Sequence, residues 1–458
     1  MNNRLPPVPG EAPTQATLFE LSAATIAPAP LPATPPTAPP DPKRGARLRE
    51  ADRQQLAWGC IDLNAQLPDE HPARAIWTVV ERLDLAALYA PIEARNEVAG
   101  APAIDPKILL ALWVYATSEG EGSAREIWRL TQLHAAYRWL CGGVNTGYHS
   151  LSDFRSHKGE VVNALITQVL ALLMKHGLVD LSRFAQDGTR VRASAGAASF
   201  RREQTLEALM QQAREHLELV TREANDPAIS KVRAAARKRG AQQRLDRLEA
   251  AVAQIPEVTE TKKRSGSKDS TARVSTTDPD ARVMKMGDGG FRPAFNVQFA
   301  TTTDQARVIV GIDVINRGSD AGQSTPMLEQ IEQRTGVRPA EMLVDGGYAQ
   351  HTAIDEATDK QVTVYAPLPK PRKGATRDPH APCENDSEAV AAWRQRMATD
   401  EAKEIYKQRA ATAETVNADA KQHRGLDSLA VRGLGKVLGT ASLFALTYNI
   451  LRLVTLGG

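Results

Sequence analysis

The stretch Glu341-Met-Leu-Val-Asp345-Gly-Gly-Tyr348 is the starting point for predicting the fold of this chain. A helical-looking segment, residues 325–334, precedes it, and a short apolar run then ends at Asp345. This order predicts a helix, a loop and a buried strand with the aspartate at the carboxyl end of the strand. Ligands of open α/β sheets gather beyond the carboxyl ends of the strands. Asp345 is therefore a candidate site residue, although an aspartate before a glycine also commonly closes a turn.

Two more acidic stretches lie far from this one in the chain. Phe184-Ala-Gln-Asp187-Gly-Thr predicts a second aspartate at the end of a strand, and residues 406–421 predict a helix that carries Glu414. If the fold brings the three carboxylates together, they form an oxygen-only site of the kind that holds two divalent cations over a phosphodiester. That arrangement indicates a polynucleotidyl transferase centre. Taken alone, each aspartate is more simply explained by a turn.

The composition is that of an ordinary globular protein. Its 458 residues suggest two or three domains, and a hydrophobic content of 42% is enough for sizeable cores. The net charge of +3 is nearly neutral, so DNA binding has to be argued from where the basic residues lie. Cys60, Cys141 and Cys383 are isolated, which disfavours a zinc site or a disulfide framework and fits a reducing cytoplasm.

No part of the sequence predicts export or a membrane partner. The amino terminus lacks the pattern of a secretory signal. The longest apolar stretch, residues 437–456, is interrupted by polar side chains and falls short of the ~20 apolar residues of a membrane span. We expect a buried terminal helix and a cytoplasmic protein that associates with the nucleoid when it binds DNA.

The first part of the chain divides into a tail and a helical domain. Residues 1–45 are rich in proline and alanine and are predicted to be a disordered tail. Residues 46–177 are predicted to form an all-α domain that binds DNA. Its helices are expected to start at Asp105-Pro106, at Ser123 and at Ser150.

The last of these helices is predicted to continue to Gly177 and to present three basic side chains at its start. Backbone N–H groups at a helix start favour phosphate, so these side chains are candidates for DNA binding. A solvated helix start is the open alternative. The three side chains are Arg155, His157 and Lys158.

A basic helical hairpin is predicted to interrupt the second part of the chain at residues 200–280. Its second arm carries a dense run of positive charges that includes Arg237, Lys238 and Arg239. Such runs are usually solvated faces. Contact with the DNA backbone is at least as good an explanation here, because neutralising phosphates requires no particular geometry.

The rest of residues 178–458 predicts an α/β fold. A β-hairpin is expected at residues 295–300 and 307–314, followed by a helix, the Asp345 strand, another helix and a last strand at residues 362–366. Strand, hairpin, helix, strand, helix, strand, helix is the order of an RNase H-like fold, a mixed sheet flanked by helices. A basic loop at residues 367–388 precedes the final helices.

Several motifs in the same order carry a family resemblance. They are His149-Ser-Leu-Ser-Asp-Phe-Arg155, Gln186-Asp187-Gly-Thr, Phe295-Asn-Val-Gln-Phe299 with Gly318-Ser-Asp320, Val344-Asp345-Gly-Gly-Tyr348, and the segment from Glu414 to Lys421. From about residue 51 to residue 456 the chain resembles the bacterial insertion-sequence transposases of the DDE class, with a helical amino-terminal domain ahead of an RNase H-like catalytic domain.

The resemblance implies an activity and its partners. Asp187, Asp345 and Glu414 would be the catalytic acids and would bind Mg²⁺ or Mn²⁺. The reaction would cleave and join the DNA ends of the element itself. The partners would be the terminal inverted repeats of the element, the target DNA and further copies of this chain in a homo-oligomeric active complex.

The last motif departs from the family pattern by one residue. That pattern is tyrosine, two residues, arginine, three residues, glutamate, six residues, lysine. Glu414 and Lys421 keep their spacing, and Lys421 would lie by a DNA phosphate. Arg409, a second candidate for DNA binding, lies five residues before the glutamate instead of four, which turns it about 100° out of phase on a straight α-helix. The roles of Tyr406 and Arg409 are therefore less firmly implied.

Simpler roles could also account for several charged residues. Asp304, Asp313 and Asp320 flank the predicted hairpin, and turn and cap chemistry is sufficient to explain them. Lys421 could be a surface partner of a helix acid. Two alternative functions remain, a metal-dependent nuclease that cuts without joining and a catalytically inactive DNA-binding derivative. The working hypothesis is two-metal phosphoryl transfer, in which Asp187 bridges both cations.

Overall fold

The computed structural model describes residues 62–93, 102–224, 230–264, 266, 272–370 and 377–457. The predicted tail at residues 1–45 lies outside the described residues, as do residues 371–376 of the predicted basic loop.

The described chain begins with helices, and two of their predicted starts are confirmed. Asp105 caps its helix by accepting a hydrogen bond from the Lys107 amide, and Ser123 accepts one from the Glu126 amide. Both caps satisfy amides that have no partner within the helix. The helices are α1 (Pro72–Arg82), α2 (Ala86–Tyr89), α3 (Pro106–Ser118), α4 (Ala124–Leu133), α5 (Ala135–Cys141), α6 (Tyr148–His157) and α7 (Gly159–Lys175).

A mixed sheet follows these helices, which confirms the α/β class. The strands are β1 (Arg183–Arg192), β4 (Arg282–Lys285), β5 (Phe291–Thr302), β6 (Ile309–Ile315), β7 (Glu341–Val344) and β8 (Thr363–Tyr365), and a separate pair is formed by β2 (Phe200–Arg201) and β3 (Val274–Ser275). The order of the strands in the sheet is β4-β5-β1-β7-β8, with β6 also paired to β5. Strand β1 runs parallel to β7 and antiparallel to β5, and β7 runs parallel to β8.

The helices of the second part connect these strands or follow them. The predicted β-hairpin is confirmed as β5 and β6, and the predicted helix, strand, helix and strand follow it in order. The helices are α8 (Glu203–Glu223), α9 (Lys231–Ala253), α10 (Ile255–Arg264), α11 (Ser324–Thr335), α12 (His351–Asp359), α13 (Glu388–Ala398), α14 (Asp400–Arg409), α15 (Thr415–Gln422) and α16 (Leu434–Gly457). Helices α8 and α9 pack on each other around a small core of their own, as expected for the inserted hairpin.

The terminal helix α16 joins the two parts of the fold. It packs against α7, α3 and α6 on one side and against β6 and β5 on the other. Its 24 residues are long and apolar enough to cross a membrane by length and composition, with a mean hydropathy of 1.5. Its middle, from Ala441 to Thr447, is buried in the protein, which is the behaviour of a core helix and agrees with the predicted buried terminal helix.

The helix predicted to run from Ser150 to Gly177 is in fact two helices, and this prediction was wrong. Helix α6 ends at His157, and α7 begins at Gly159. A Cβ atom on Gly159 would lie 2.7 Å from the Cα atom of Gly439 in α16, so the chain changes direction where two backbones come into contact.

Candidate active site

Asp187 and Asp345 lie side by side on neighbouring strands. Strands β1 and β7 are parallel, and their pairing ends at Gln186 and Val344, the residues directly before the two aspartates. Adjacent strands are about 4.8 Å apart, so the two carboxylates start from neighbouring backbone positions. Asp345 follows the end of its strand, as predicted.

Asp187 does not end a strand, which corrects the sequence-based prediction. Strand β1 continues to Arg192 because it pairs with the long β5 as far as Ala294. Gly188 therefore does not close a turn. A Cβ atom at this position would collide with Asp320 Oδ1 and would lie 2.7 Å from Asn296 Oδ1, so only glycine leaves room for these side chains.

Asp320 is a third acid beside the pair, so turn and cap chemistry is not sufficient to explain it. Its Oδ1 atom accepts hydrogen bonds of 2.7 Å from Asn296 Nδ2 and Gln298 Nε2. Gln298 in turn accepts a hydrogen bond from the hydroxyl of Tyr348. A Cβ atom on Gly347 would lie 3.3 Å from Asp345 Oδ1 and 3.8 Å from Asp320 Oδ2, so the two acids flank the same glycine.

A π-helical turn, Ala410–Glu414, brings Arg409 to the acids. Arg409 Nη2 lies 2.9 Å from Asp187 Oδ1, and Arg409 Nη1 lies 3.6 Å from Glu414 Oε1. A π turn contains one residue more than an α turn, so it absorbs the extra residue between the arginine and the glutamate. The expected phase error of about 100° applies to a straight α-helix, and the structure corrects it.

Buried amide groups lie at Asp187 and along the strands beside it. Asn417 Nδ2, on α15, donates a hydrogen bond of 3.1 Å to Asp187 Oδ2. The Oδ1 atoms of Asn417 and Asn296 and the Oε1 atom of Gln186 are buried, and none has a donor among the described residues. Unsatisfied buried oxygens are uncommon, because burial without a hydrogen bond is unfavourable.

The electrostatics of the cluster reflect its burial and its like charges. Burial raises the pKa of Asp187, the Arg409 charge lowers it, and the charges of Asp345 and Asp320 raise it further. Burial lowers the pKa of Arg409, but the neighbouring acids outweigh this effect and hold it above its ordinary value. The pKa of Tyr406 is raised by burial, and it responds to Arg409, Asp345 and Asp187, so this side chain belongs to the same cluster.

Lys421 lies on α15 near the cluster. Burial and the charge of Arg190 lower its pKa, while Asp427 and Asp187 act in the opposite direction. It forms no ion pair within the part of the chain that the structure describes.

The other predicted DNA-binding residues lie elsewhere. Arg155 and His157 occupy the last turn of α6, so they do not stand at a helix start as predicted. Lys158 lies between the two helices, at the end of α6 and at the start of α7. The Arg155 guanidinium lies over the Trp113 ring, 4.8 Å from its centroid, in a different cavity from His157 and Lys158. Arg237, Lys238 and Arg239 are exposed on α9, where Arg237 pairs with Glu223 at 3.0 Å.

Four residues of this cluster had no site role predicted from the sequence: Asn296, Gln298, Asp320 and Asn417. A signal for two of them was present. Asn296 and Gln298 alternate with apolar residues in a strand whose both faces are buried, and polar side chains at such positions require partners. Asn417 carries no comparable signal, because it is one of several polar residues on a half-buried helix.

The donor set suits a hard cation. Carboxylate and amide oxygens are the ligands that Mg²⁺ and Mn²⁺ prefer, and a guanidinium already lies between Asp187 and Glu414. The described residues contain no group of three or more acidic, histidine or cysteine side chains close enough to be a ready metal site. A cation would therefore have to displace Arg409 from Asp187.

Two segments of the chain match models of known protein families. Residues 61–157 match the model described as Transposase domain (DUF772), and residues 374–454 match the model described as Transposase DDE domain. The second segment contains Arg409, Glu414 and Lys421, whereas Asp187 and Asp345 lie outside both. Neither the curated proteins nor the solved structures gave a match.

Proposed function

We propose that this chain, an insertion-sequence transposase of the DDE type by its two family matches, cleaves the DNA ends of its own element and joins them to target DNA with the help of divalent metal ions. The observation that carries this proposal is the position of Asp187 and Asp345 at adjacent points of parallel strands, with Glu414 linked to them through Arg409. The strand order, in which β1 is central and antiparallel to β5, supports an RNase H-like catalytic fold.

Asp187, Asp345 and Glu414 would hold the metal ions, Mg²⁺ or Mn²⁺, with Asp187 contacting both. Bound there, the ions would activate the attacking water or 3′-hydroxyl and stabilise the leaving oxygen. The unsatisfied oxygen of Asn417 supports the proposal, since it offers a further hard acceptor next to Asp187. Asp320 would orient Gln298 and Asn296 and add negative charge.

The cations near the acids would position DNA. Lys421 supplies a positive charge near Asp187, where it favours a phosphate held next to the acids. Arg409, once released from Asp187, would bind the same strand. Asn417 keeps Asp187 oriented by donating to Oδ2, and the burial of Asp187 limits the access of water to that carboxylate.

Wider DNA contacts would come from two other regions. Residues 46–177, with Arg155, His157 and Lys158, would form a DNA-binding domain ahead of the catalytic domain at 178–458. The exposed cations of α9, including Arg237, Lys238 and Arg239, would contact the phosphate backbone. The partners would be terminal inverted repeats, target DNA and other copies of this chain, in the cytoplasm and at the nucleoid.

A strand-transfer assay tests the proposal. Purified protein, Mg²⁺ and linear DNA carrying the inverted repeats that flank the gene should give joined products, and Asp345→Ala should reduce joining by at least about 10³-fold. Asp359→Ala, which removes an exposed acid at the end of α12, is the matched control and should join normally.

Each alternative function has its own result in this assay. Cut DNA without joined products would indicate a nuclease, and DNA binding without cuts would indicate an inactive derivative. Joining by the Asp345→Ala variant would overturn the role of Asp345.

A further inference from the structure

A cavity of about 580 Å³ lies at one end of α15, away from the acid cluster. The turn before α4, together with parts of α3 and α6, forms one wall, and the segment after α15 together with α16 forms the other. Its volume is within the range of small-molecule sites, roughly 300–1,000 Å³.

Three arginines line the cavity: Arg125, Arg155 and Arg424. Arg155 gives the strongest indication of a missing ligand. Its Nε atom is buried without a hydrogen-bond partner, and no carboxylate among the described residues pairs with its guanidinium. Its Nη1 atom donates to the carbonyl of Gly122. A half-buried guanidinium with no carboxylate beside it is unfavourable, and an anion in the cavity would relieve this cost.

The other two arginines differ in how far they are engaged. Arg424 lies 3.3 Å from Asp419 and donates to the carbonyl of Ser118, so it is already held in place. Arg125 is exposed, and its guanidinium lies over the Tyr148 ring, 5.4 Å from the centroid. Glu121 also lines the cavity, but the Ser123 amide donates to its carboxylate, and the cations outnumber it.

Aromatic rings stand beside these charges. The Tyr148 and His149 rings have centroids 4.0 Å apart, and both residues line the cavity. Rings that are half-buried or exposed offer a stacking surface to a nucleic-acid base, and arginine guanidinium planes do the same. The cavity therefore combines a stacking surface for a flat ring with a binding surface for an anion.

The position of the cavity relates it to the acid cluster. Asn417, which contacts Asp187, and Gln422, the last residue of α15, are separated by a helical rise of about 8 Å. Arg424 follows two residues later. The helical rise of about 8 Å along α15 corresponds to about two or three nucleotides at 3.4 Å per nucleotide.

We propose that this cavity binds one unpaired nucleotide of a DNA strand whose reacting phosphate lies at the acids. The base stacks on Tyr148 and His149, and the flanking phosphates face Arg125, Arg155 and Arg424. The proposal rests on the proposed function, because it assumes that DNA lies across the acid cluster.

Photocrosslinking of a single-stranded probe tests this site directly. The probe is a thymidine pentanucleotide with 5-iododeoxyuridine at its centre, and the crosslinked peptides of the full-length protein are identified by mass spectrometry. We expect crosslinks in the peptide of residues 139–155, which contains Tyr148 and His149. Arg125→Ala should lower their yield about fivefold, and Tyr148→Ala should abolish them, while Tyr148→Phe should keep them.

Arg129→Ala is the matched control, because Arg129 lies one turn after Arg125 on α4 and pairs with Glu126 away from the cavity. It should crosslink like the wild type. Equal losses in both arginine variants, or crosslinks confined to α8 and α9, would overturn the proposal. An abasic pentamer should compete with the probe more weakly than a thymidine pentamer does. Equal competition by the two would also overturn the proposal, because the cavity would then bind anions alone.

Asp187→Asn separates this proposal from the proposed function. It should keep the crosslinks and lose strand transfer. If the wild-type protein forms the crosslinks but does not join DNA, this result contradicts the proposed catalytic function and not the nucleotide site.

Discussion

Arg409 holds the carboxylate of Asp187 at 2.9 Å, so a cation from α14 neutralises the acid of the central strand. Both side chains are mostly buried, with 11% and 19% of their surface exposed. A divalent cation that binds Asp187 must compete with this guanidinium.

Replacing Arg409 by glutamine should therefore strengthen metal binding. A hydrogen bond to a charged group contributes about 1.5 kcal/mol, so its removal should tighten Mn²⁺ binding about tenfold. Isothermal titration calorimetry with Mn²⁺ measures this affinity. Lys407→Gln, which removes an exposed cation from the same helix, should leave it unchanged. Weaker Mn²⁺ binding by Arg409→Gln would show that the two cations do not compete.

Deleting Ala411 should convert the π turn into a regular α-helix. The residue is exposed, and the deletion places the arginine four residues before the glutamate, so both should still face Asp187. We expect Mn²⁺ affinity and strand transfer within about threefold of the wild type. Inserting an alanine after Ala411 should instead rotate the glutamate by about 100° and reduce transfer at least about tenfold. Equal effects of the two changes would refute this role of the π turn.

Asp320→Asn should weaken metal binding without unfolding the protein. The asparagine oxygen can still accept from Asn296 and Gln298, so only the charge is lost. Mn²⁺ affinity should fall about tenfold, equivalent to about 1.4 kcal/mol.

Asp304→Asn is the contrasting variant. Asp304 accepts hydrogen bonds from the Asp180 and Arg307 amides in a loop, so we expect a loss of about 1 kcal/mol in stability with unchanged Mn²⁺ affinity. If Asp304→Asn weakened Mn²⁺ binding as much as Asp320→Asn does, the charge of Asp320 would not contribute specifically to metal binding.

Asp278 should make stability depend on pH. It is fully buried beside the start of α16, where its Oδ1 atom accepts from the Gly433 amide at 3.1 Å and its Oδ2 atom has no partner. Burial raises its pKa from 3.8 to about 6. The Asp278 carboxyl therefore stays protonated to a higher pH in the folded protein than in the unfolded chain. The free energy of unfolding should fall as the pH rises from about 4 to 6, because the folded protein then loses this proton.

Asp278→Asn should remove this dependence. Above pH 6 the variant should be more stable than the wild type by about 1–3 kcal/mol, and the difference should shrink as the pH approaches 4. Thermal melting of both proteins between pH 4.5 and 7.5 measures the difference. A difference that stays constant over this range would rule out titration of Asp278 as its cause.

The sequence predicted those parts of the fold that depend on local pattern. Period-two alternation with turn residues predicted β5 and β6, and the cap residues Asp105 and Ser123 predicted two helix starts. The apolar run before Asp345 predicted both a buried strand and the place of the acid. These features are encoded by residues close together in the chain.

What the sequence did not predict depends on distant contacts. Strand β1 passes Asp187 because β5 pairs with it, and Asp320 joins the acids because Gln298 and Asn296 reach it from that same strand. The π turn escaped prediction because a hydrophobic period of 3.6 residues cannot locate a single inserted residue on a mostly exposed helix.

Helix α16 has a consequence for how the protein is made. Because it packs on both the first helices and the sheet, neither can complete its apolar core before residues 434–457 have left the ribosome. During synthesis the surfaces meant for α16 stay exposed, which favours chaperone binding and aggregation. A nonsense mutation that removes this helix should therefore yield an insoluble product rather than a working catalytic fragment.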